Sequence, residues 1–369
     1  MKIILLVSSL GAGGAERVAT TLCNAWAARG DQVTLVPTFS GGGECFYELS
    51  PDVRLVYLAD MVPRRKRSFV NQIARLKALR KFLAAERPDV IVPFLSNVNV
   101  AAIVASARLG IPVVVCERTD PFICPTPLML KIARRLTYPF ADSLVVQTKA
   151  VANSFVAANW NLRKVQVIPN PIPQQLLDMQ MRSNGAGERR LLLAVGRLGE
   201  EKQFSMLIKV FSRLAQQHTN WALRIVGEGP LRVALQQQII DLDLGDRVEL
   251  PGRTANIGDE LDRADAFVLT SRFEGFPNAL LEAMAVGLPC ATFDCPSGPR
   301  EMSMEGKVAI LVPLNDEHAL GHALSRLMLD EDLRQSLGRC ARASVIERFS
   351  LDKVLEKWDS LFKELEIRH

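Results

Sequence analysis

The sequence predicts an α/β protein of two doubly wound, Rossmann-like domains facing each other across a cleft. Three observations lead there. Apolar runs of strand length alternate with segments of helical period along nearly the whole chain. The runs are apolar on both faces, as strands of parallel sheets covered by helices are. The alternation is completed twice, with a break at VIPNPIPQQLL (167–177) and the polar SNGAGERR (183–190). Three prolines and a Gly/Asn/Ser cluster make a linker, with a hinge near 168–188.

In order, strands are expected at 2–8, 32–37, 53–58, 89–94, 112–116 and 143–147, then at 190–195, 222–226, 247–250, 265–270, 289–293 and 308–312. Helical periodicity marks 15–29, 69–85, 203–217, 229–242 and 277–286 among the segments between them. The expected domains are 1–170 and 171–349. The last segment, 350–369, is an amphipathic helix with Ser350 as N-cap that can pack back on the first domain. The length of 369 residues suits two domains.

Composition narrows the class. At 48% hydrophobic and 23% charged residues, the chain is globular. Residues 1–170 carry 21 Lys+Arg against 11 Asp+Glu, whereas 171–369 carry 24 against 29. The basic half is expected to meet an anionic partner. The seven cysteines form no C-x-x-C pair and no Cys/His cluster, so reduced thiols and no zinc site are expected. MKIILLVSSLGAGG reads as a first strand rather than a signal peptide. The longest apolar stretch, 98–116, is broken by Arg108, Gly110 and Pro112, short of the roughly 20 residues a membrane span needs.

Ligands of open α/β sheets bind beyond the carboxyl ends of the strands, which places the site in the cleft. Three loops fall there. LGAGGAER (10–17) lets a backbone approach an anion at a helix start, or is a plain tight turn. It fails the dinucleotide fingerprint, with Glu16 where the last glycine belongs and no acid after strand 32–37. GRLGEEKQF (196–204) offers Arg197 and Lys202, which can clamp a diphosphate or pair with Glu200 and Glu201. In SRFEGFPNALLEAMAVGLP (271–289), Glu274 lies in a turn, Pro277 in the first helical turn, and Gly287 closes the helix. The N–H groups near Asn278 and Ala279 are free to meet an anion. Glu282 stands inside an apolar helix, where a carboxylate is costly without donors. A ribose diol would supply them, as would a buried arginine. Asp241-Leu242-Asp243 reads as a solvated helix end rather than a metal site.

GAGGAER, VIPNPI, GRLGEEK, IVGEGP (225–230) and EGFPNALLEAMAVGLP occur in one order that resembles the retaining glycosyltransferases of the GT-B fold, family 4. Glu274 and Glu282 match that family's E-x7-E signature. The resemblance implies that Glu282 holds the ribose of a nucleotide sugar. Arg197 and Lys202 hold its diphosphate with the backbone of Asn278, Ala279 and Leu280, and Gly14 admits the first-domain loop to the same diphosphate. Glu274 contacts the transferred sugar and Arg253 the base. It further implies UDP as the nucleotide, a donor that is a substrate rather than a cofactor, and no metal. Many members carry a histidine after a first-domain strand. Here CERTD stands there, so Glu117, Arg118 or Asp120 is expected to fill that space, or Glu117 and Arg118 to form a surface pair.

PRRKRSFVNQIARLKALRK (63–81) holds eight basic residues, Arg64, Arg65, Lys66, Arg67, Arg75, Lys77, Arg80 and Lys81, with Phe69, Ile73, Leu76, Leu79 and Leu83 at helical spacing. PLMLKIARRLTYPF (127–140) adds Lys131, Arg134 and Arg135. Such helices can lie on an anionic membrane or present a solvated face over a core stripe. No nucleic-acid module is visible. The expected function is transfer of a hexose or N-acetylhexosamine from a nucleotide sugar to a polyprenyl-diphosphate-linked glycan, on the inner face of the cytoplasmic membrane. The alternatives are a soluble transferase with a small sugar acceptor and a non-catalytic scaffold of the same fold.

Overall fold

The computed structural model describes residues 1–11, 13–39, 45–62, 69–123, 126–181, 189–254 and 256–367. The chain divides into two compact units, Met1–Pro171 with Val354–His369, and Ile172–Lys353.

Unit 1 contains strands β1 (Lys2–Val7), β2 (Gln32–Pro37), β3 (Arg54–Leu55), β4 (Val90–Pro93), β5 (Val114–Cys116), β6 (Ser143–Val146) and β7 (Val165–Val167). All pair in parallel, in the orders β3-β2-β1-β4 and β5-β6-β7. Two parallel bridges, Ile91 to Val113 and Phe94 to Cys116, carry the ladder from β4 to β5. Helices α1 (Gly14–Ala28), α2 (Phe69–Glu86), α3 (Ser96–Ser106), α4 (Leu128–Thr137) and α5 (Lys149–Ala157) connect them. β1 and β4 are buried along nearly their whole length, which is why their sequences are apolar without alternation. β7 was not expected as a strand; it is three residues long, only half-buried, and follows the polar NLRK.

Unit 2 holds α6 (Gln174–Asp178), β8 (Arg190–Val195), α7 (Phe204–Ala215), β9 (Trp221–Val226), α8 (Arg232–Asp241), β10 (Val248–Gly252), α9 (Ile257–Arg263), β11 (Ala266–Leu269), α10 (Asn278–Ala285), β12 (Cys290–Phe293), α11 (Pro299–Met302), β13 (Ile310–Val312), α12 (Glu317–Leu329) and α13 (Glu331–Phe349). Its sheet is parallel, in the order β10-β9-β8-β11-β12-β13. The strand order reverses direction between β8 and β11. Switch points of this kind are where ligands of open α/β sheets bind, beyond the carboxyl ends of the strands. Two apolar layers cover the sheet. Leu207, Phe211 and Leu324 belong to one, and Leu280, Met284 and Ala341 to the other.

Ser350 is in extended conformation between α13 and the last helix, α14 (Leu351–Glu364). That helix brings Trp358 edge-on to Trp26 of α1 at 5.6 Å, and Arg29 pairs with Asp359 at 2.9 Å. The tail thus belongs to unit 1, far away in sequence. No helix among the described residues is long and apolar enough to cross a membrane.

Candidate functional site at the carboxyl ends of the strands

In unit 2 the loops after β8 and β11 meet at the switch point. Lys202 Nζ lies 2.6 Å from Glu274 Oε1, and Ser271 Oγ donates to the same oxygen at 2.6 Å. The loops are tied elsewhere too. Thr270 Oγ1 donates to the Lys202 carbonyl at 2.7 Å, and Arg272 N–H to the Glu201 carbonyl at 2.8 Å. IVGEGP underlies this arrangement. Gly227 has φ +151°, and a Cβ there would fall 1.8 Å from the Gly196 carbonyl oxygen, so only glycine lets the loops after β8 and β9 touch backbone to backbone. Arg197 does not join the pair. It is exposed and lies 3.5 Å from Glu201, the surface pairing weighed for it, while Lys202 turns to Glu274 instead.

Glu274 leads through Pro277 into α10. Pro277 is the N-cap, one position earlier than expected, and Asn278 opens the helix. The Asn278 N–H is spent on the Phe276 carbonyl at 2.8 Å, which corrects the expectation that it is free. Ala279 and Leu280 follow in the first turn, where the helical ladder has no acceptor for N–H groups. Six of the eight residues of α10 are buried, Glu282 among them at 3% exposure. Gly287, at φ +82°, ends the helix in the left-handed conformation expected of it. Arg253 follows β10 and is exposed. Asp241 and Asp243 are both exposed at the end of α8.

Cys295, after β12, is a neighbour that sequence reasoning missed. Burial, with Glu274 close by, pushes its thiol up to about 12, so it stays protonated at neutral pH. Ser271 was also missed. Nothing about a lone serine or cysteine in these loops marks it before the strands are placed side by side.

In unit 1, Gly14 opens α1 and is exposed, with Gly13 as N-cap. The helix start is faced by the chain's own carboxylate. A Cβ on Gly13 would fall 2.2 Å from Glu16 Oε2, and Ser9 Oγ donates to Glu16 Oε1 at 3.1 Å. Glu117 and Arg118 follow β5, and the surface pair considered for them does not form. Both are buried. The Glu117 carboxylate accepts from Ser96 Oγ at 2.8 and 2.9 Å and from the Tyr138 hydroxyl, and lies 3.7 Å from Arg134 Nη1. Burial raises its pKa above the ordinary carboxylate range, against the pull of these donors. Arg118 stacks 3.5 Å over the Phe94 ring and donates to Asn170 Oδ1 at 2.7 Å. Burial pushes it down to about 10. Glu117 is thus enclosed by partners inside unit 1 rather than an open contact.

Of the basic arm, Arg64, Arg65, Lys66 and Arg67 lie outside the described residues. Arg75 is half-buried over Phe39 at 5.6 Å. Arg80 donates to the carbonyls of Ala105 and Ala107 at the end of α3, a structural task.

Two family models match the chain, one described as glycosyl transferases group 1 over residues 178–344 and one as glycosyl transferase 4-like domain over 13–171. The chain belongs to the glycosyltransferases. The group 1 match contains Arg197, Lys202, Arg253, Glu274 and Glu282. The 4-like match contains Gly14, Arg75, Glu117, Arg118 and all of α4. The glycosyltransferase is 27% identical over 370 residues to the GalNAc-alpha-(1->4)-GalNAc-alpha-(1->3)-diNAcBac-PP-undecaprenol alpha-1,4-N-acetyl-D-galactosaminyltransferase of Campylobacter jejuni, with 99% of each chain covered. It is 25% identical over 366 residues to the amylovoran biosynthesis glycosyltransferase AmsD of Erwinia amylovora, covering 98% of this chain and 99% of that one. Among solved structures it resembles sucrose-phosphate synthase from Thermosynechococcus elongatus, with TM-score 0.83, 18% identity and 99% of each chain covered. It also resembles HepE of Anabaena in complex with UDP, with TM-score 0.78, 19% identity and 99% and 100% covered. The shared fold is GT-B, the two-domain parallel α/β architecture expected above.

Proposed function

We propose that this glycosyltransferase moves a hexose or N-acetylhexosamine from a UDP-sugar to a polyprenyl-diphosphate-linked glycan, with retention of anomeric configuration. The reaction belongs to cell-surface polysaccharide or oligosaccharide assembly at the inner face of the cytoplasmic membrane. The observation that carries the donor half is the meeting of Lys202 and Glu274 at the switch point of unit 2, in the loops that lead into α7 and α10. The acceptor half is supported by the basic first half of the chain and by full-length similarity to a transferase whose name specifies an undecaprenol-PP acceptor.

In this reading Lys202 exchanges Glu274 for the donor diphosphate, with Arg197 swinging from Glu201 to join it. The bond between the anomeric carbon and the diphosphate oxygen breaks, and an oxocarbenium-like sugar forms. The acceptor hydroxyl attacks from the face the diphosphate leaves and passes its proton to the departing oxygen. Lys202, Arg197 and the N–H groups of Ala279 and Leu280 in the first turn of α10 stabilise the charge that develops on the leaving group. Glu274, released from Lys202, positions the sugar, and Glu282 holds the ribose diol. The two cations neutralise the diphosphate, so no metal ion is required.

The test is a panel of UDP-, GDP- and ADP-sugars assayed with and without a polyprenyl-diphosphate-linked glycan. A UDP-sugar consumed in the presence of that acceptor, giving a product of the donor's anomeric configuration, is expected. Equal turnover with a free sugar, or an inverted product, contradicts the proposal. Charge reversal at Arg64–Arg67 is expected to weaken lipid-acceptor turnover.

A further inference from the structure

Helix α4 is built inside out. Its inward side carries a charged residue, and its outward side is apolar. Arg134 is buried, 3.7 Å from Glu117 and 3.4 Å from Ser96 Oγ, and Tyr138, just beyond the helix, is fully buried against Trp160 at 5.8 Å. This polar anchor fixes which face looks outward. On that face Leu128, Ile132 and Leu136 recur every four residues, and Phe140 continues the row through the following turn. Leu128, Leu136 and Phe140 are 71%, 66% and 70% exposed, and Met129 beside them 79%. Lys131 and Arg135 are exposed along the same helix, and no acid occurs between Asp120 and Asp142. Isolated exposed apolar residues are ordinary in soluble proteins; a row of four with a fifth beside it, on a helix that also exposes two cations and carries no acid, marks an interaction face.

We propose that this face is the element that inserts into an anionic bilayer surface, with Leu128, Met129, Ile132, Leu136 and Phe140 entering the acyl boundary and Lys131 and Arg135 meeting lipid phosphates. The chemistry fits a bilayer: an apolar strip on a helix whose charged residues are all cations suits apolar depth and negative charge together. Helix α2 does not offer this. Leu79, Phe82 and Leu83 are buried in the unit 1 core and Leu76 packs against it, which leaves Ile73 as its one strongly exposed large apolar side chain among the described residues. The inference deepens the proposed function, which places the enzyme at a membrane.

The test floats the full-length protein with phosphatidylcholine vesicles, with and without phosphatidylglycerol, and with no polyprenyl lipid present. Binding is then read apart from acceptor recognition, and the two readings can fail separately. Leu136→Glu combined with Phe140→Glu is expected to weaken vesicle binding by about tenfold or more. Lys131→Glu with Arg135→Glu is expected to remove the phosphatidylglycerol-dependent part. Ile73→Glu on α2 is expected to bind as the unaltered protein does. Hydrogen exchange of the unaltered protein is expected to slow over 128–140 when anionic vesicles are added, a measurement that does not depend on any variant folding. Unchanged flotation of the α4 variants, or no added protection over 128–140, overturns the proposal. So does a dimer in the absence of lipid that the α4 substitutions split, because the face then covers a second copy of the chain.

Discussion

Each unit places a glutamate–cation pair after a parallel strand, Glu274 with Lys202 in unit 2 and Glu117 with Arg134 in unit 1, and the two differ in what can reach them. Glu274 and Lys202 are 2.6 Å apart with side chains 11% and 18% exposed. Glu117 and Arg134 are 3.7 Å apart with side chains 0% and 2% exposed. The first pair is direct, partly open and set at a switch point, where the proposed function has a diphosphate replace the glutamate on the lysine. The second is enclosed and satisfied by Ser96 and Tyr138, so a ligand would have to dismantle it. Similar chemistry at similar positions in two parallel sheets is thus partly open in one unit and enclosed in the other, which under the proposed function suits exchange in the first and anchorage in the second.

The largest expected effect breaks the enclosed pair. Glu117→Ala leaves Arg134 charged and buried without its partner, and is expected to lower stability by about 3–5 kcal/mol in urea unfolding. Lys202→Met breaks the open pair. It is expected to lower kcat/KM by about 100- to 1,000-fold, the range for losing one preorganised charge stabiliser, with little change in the urea midpoint. A large loss of stability in Lys202→Met would erase the distinction between the pairs.

A smaller effect follows from protonation. The pKa of Glu117 is raised in the folded state, so the folded protein holds that proton more tightly than the unfolded chain. Its contribution to stability is therefore greatest in acid and declines as pH rises from the ordinary carboxylate range through the raised value. Glu117→Gln removes the titration. The stability of the unaltered protein relative to this variant is expected to fall over that window when unfolding is followed as a function of pH. A rise would mean that the pull of Arg134, Tyr138 and Ser96 outweighs burial. The smallest expected effect is none. Asp241→Asn with Asp243→Asn, on the exposed end of α8, and addition of EDTA should leave turnover unchanged.

Most of the frame was legible in the sequence because it is local. Strand runs, the linker prolines, Gly287 at the end of α10 and the spacing of Glu274 and Glu282 depend on neighbours along the chain. β7 was not legible, since three half-buried residues carry almost no periodicity. The Glu117 site was not either. Its partners come from the starts of α3 and α4's far end, and only folding brings Ser96, Arg134 and Tyr138 to one carboxylate. Helices α2 and α4 read alike as basic and apolar. The structure separates them by direction, because a buried arginine turns α4 outward while Leu79 and Leu83 turn α2 inward. The Asn278 N–H, expected to be free, was lost to a turn that only the placement of Pro277 reveals.

The donor site in unit 2 is the central claim, and Glu282 tests it most directly, being a buried carboxylate in an otherwise apolar helix. Titration calorimetry of UDP against the unaltered protein and against Glu282→Ala, both confirmed folded by thermal denaturation, reads its role without turnover. Loss of a charge-assisted pair of hydrogen bonds to the ribose predicts binding weaker by about tenfold or more in the variant. Equal affinity for UDP in the two proteins would contradict it.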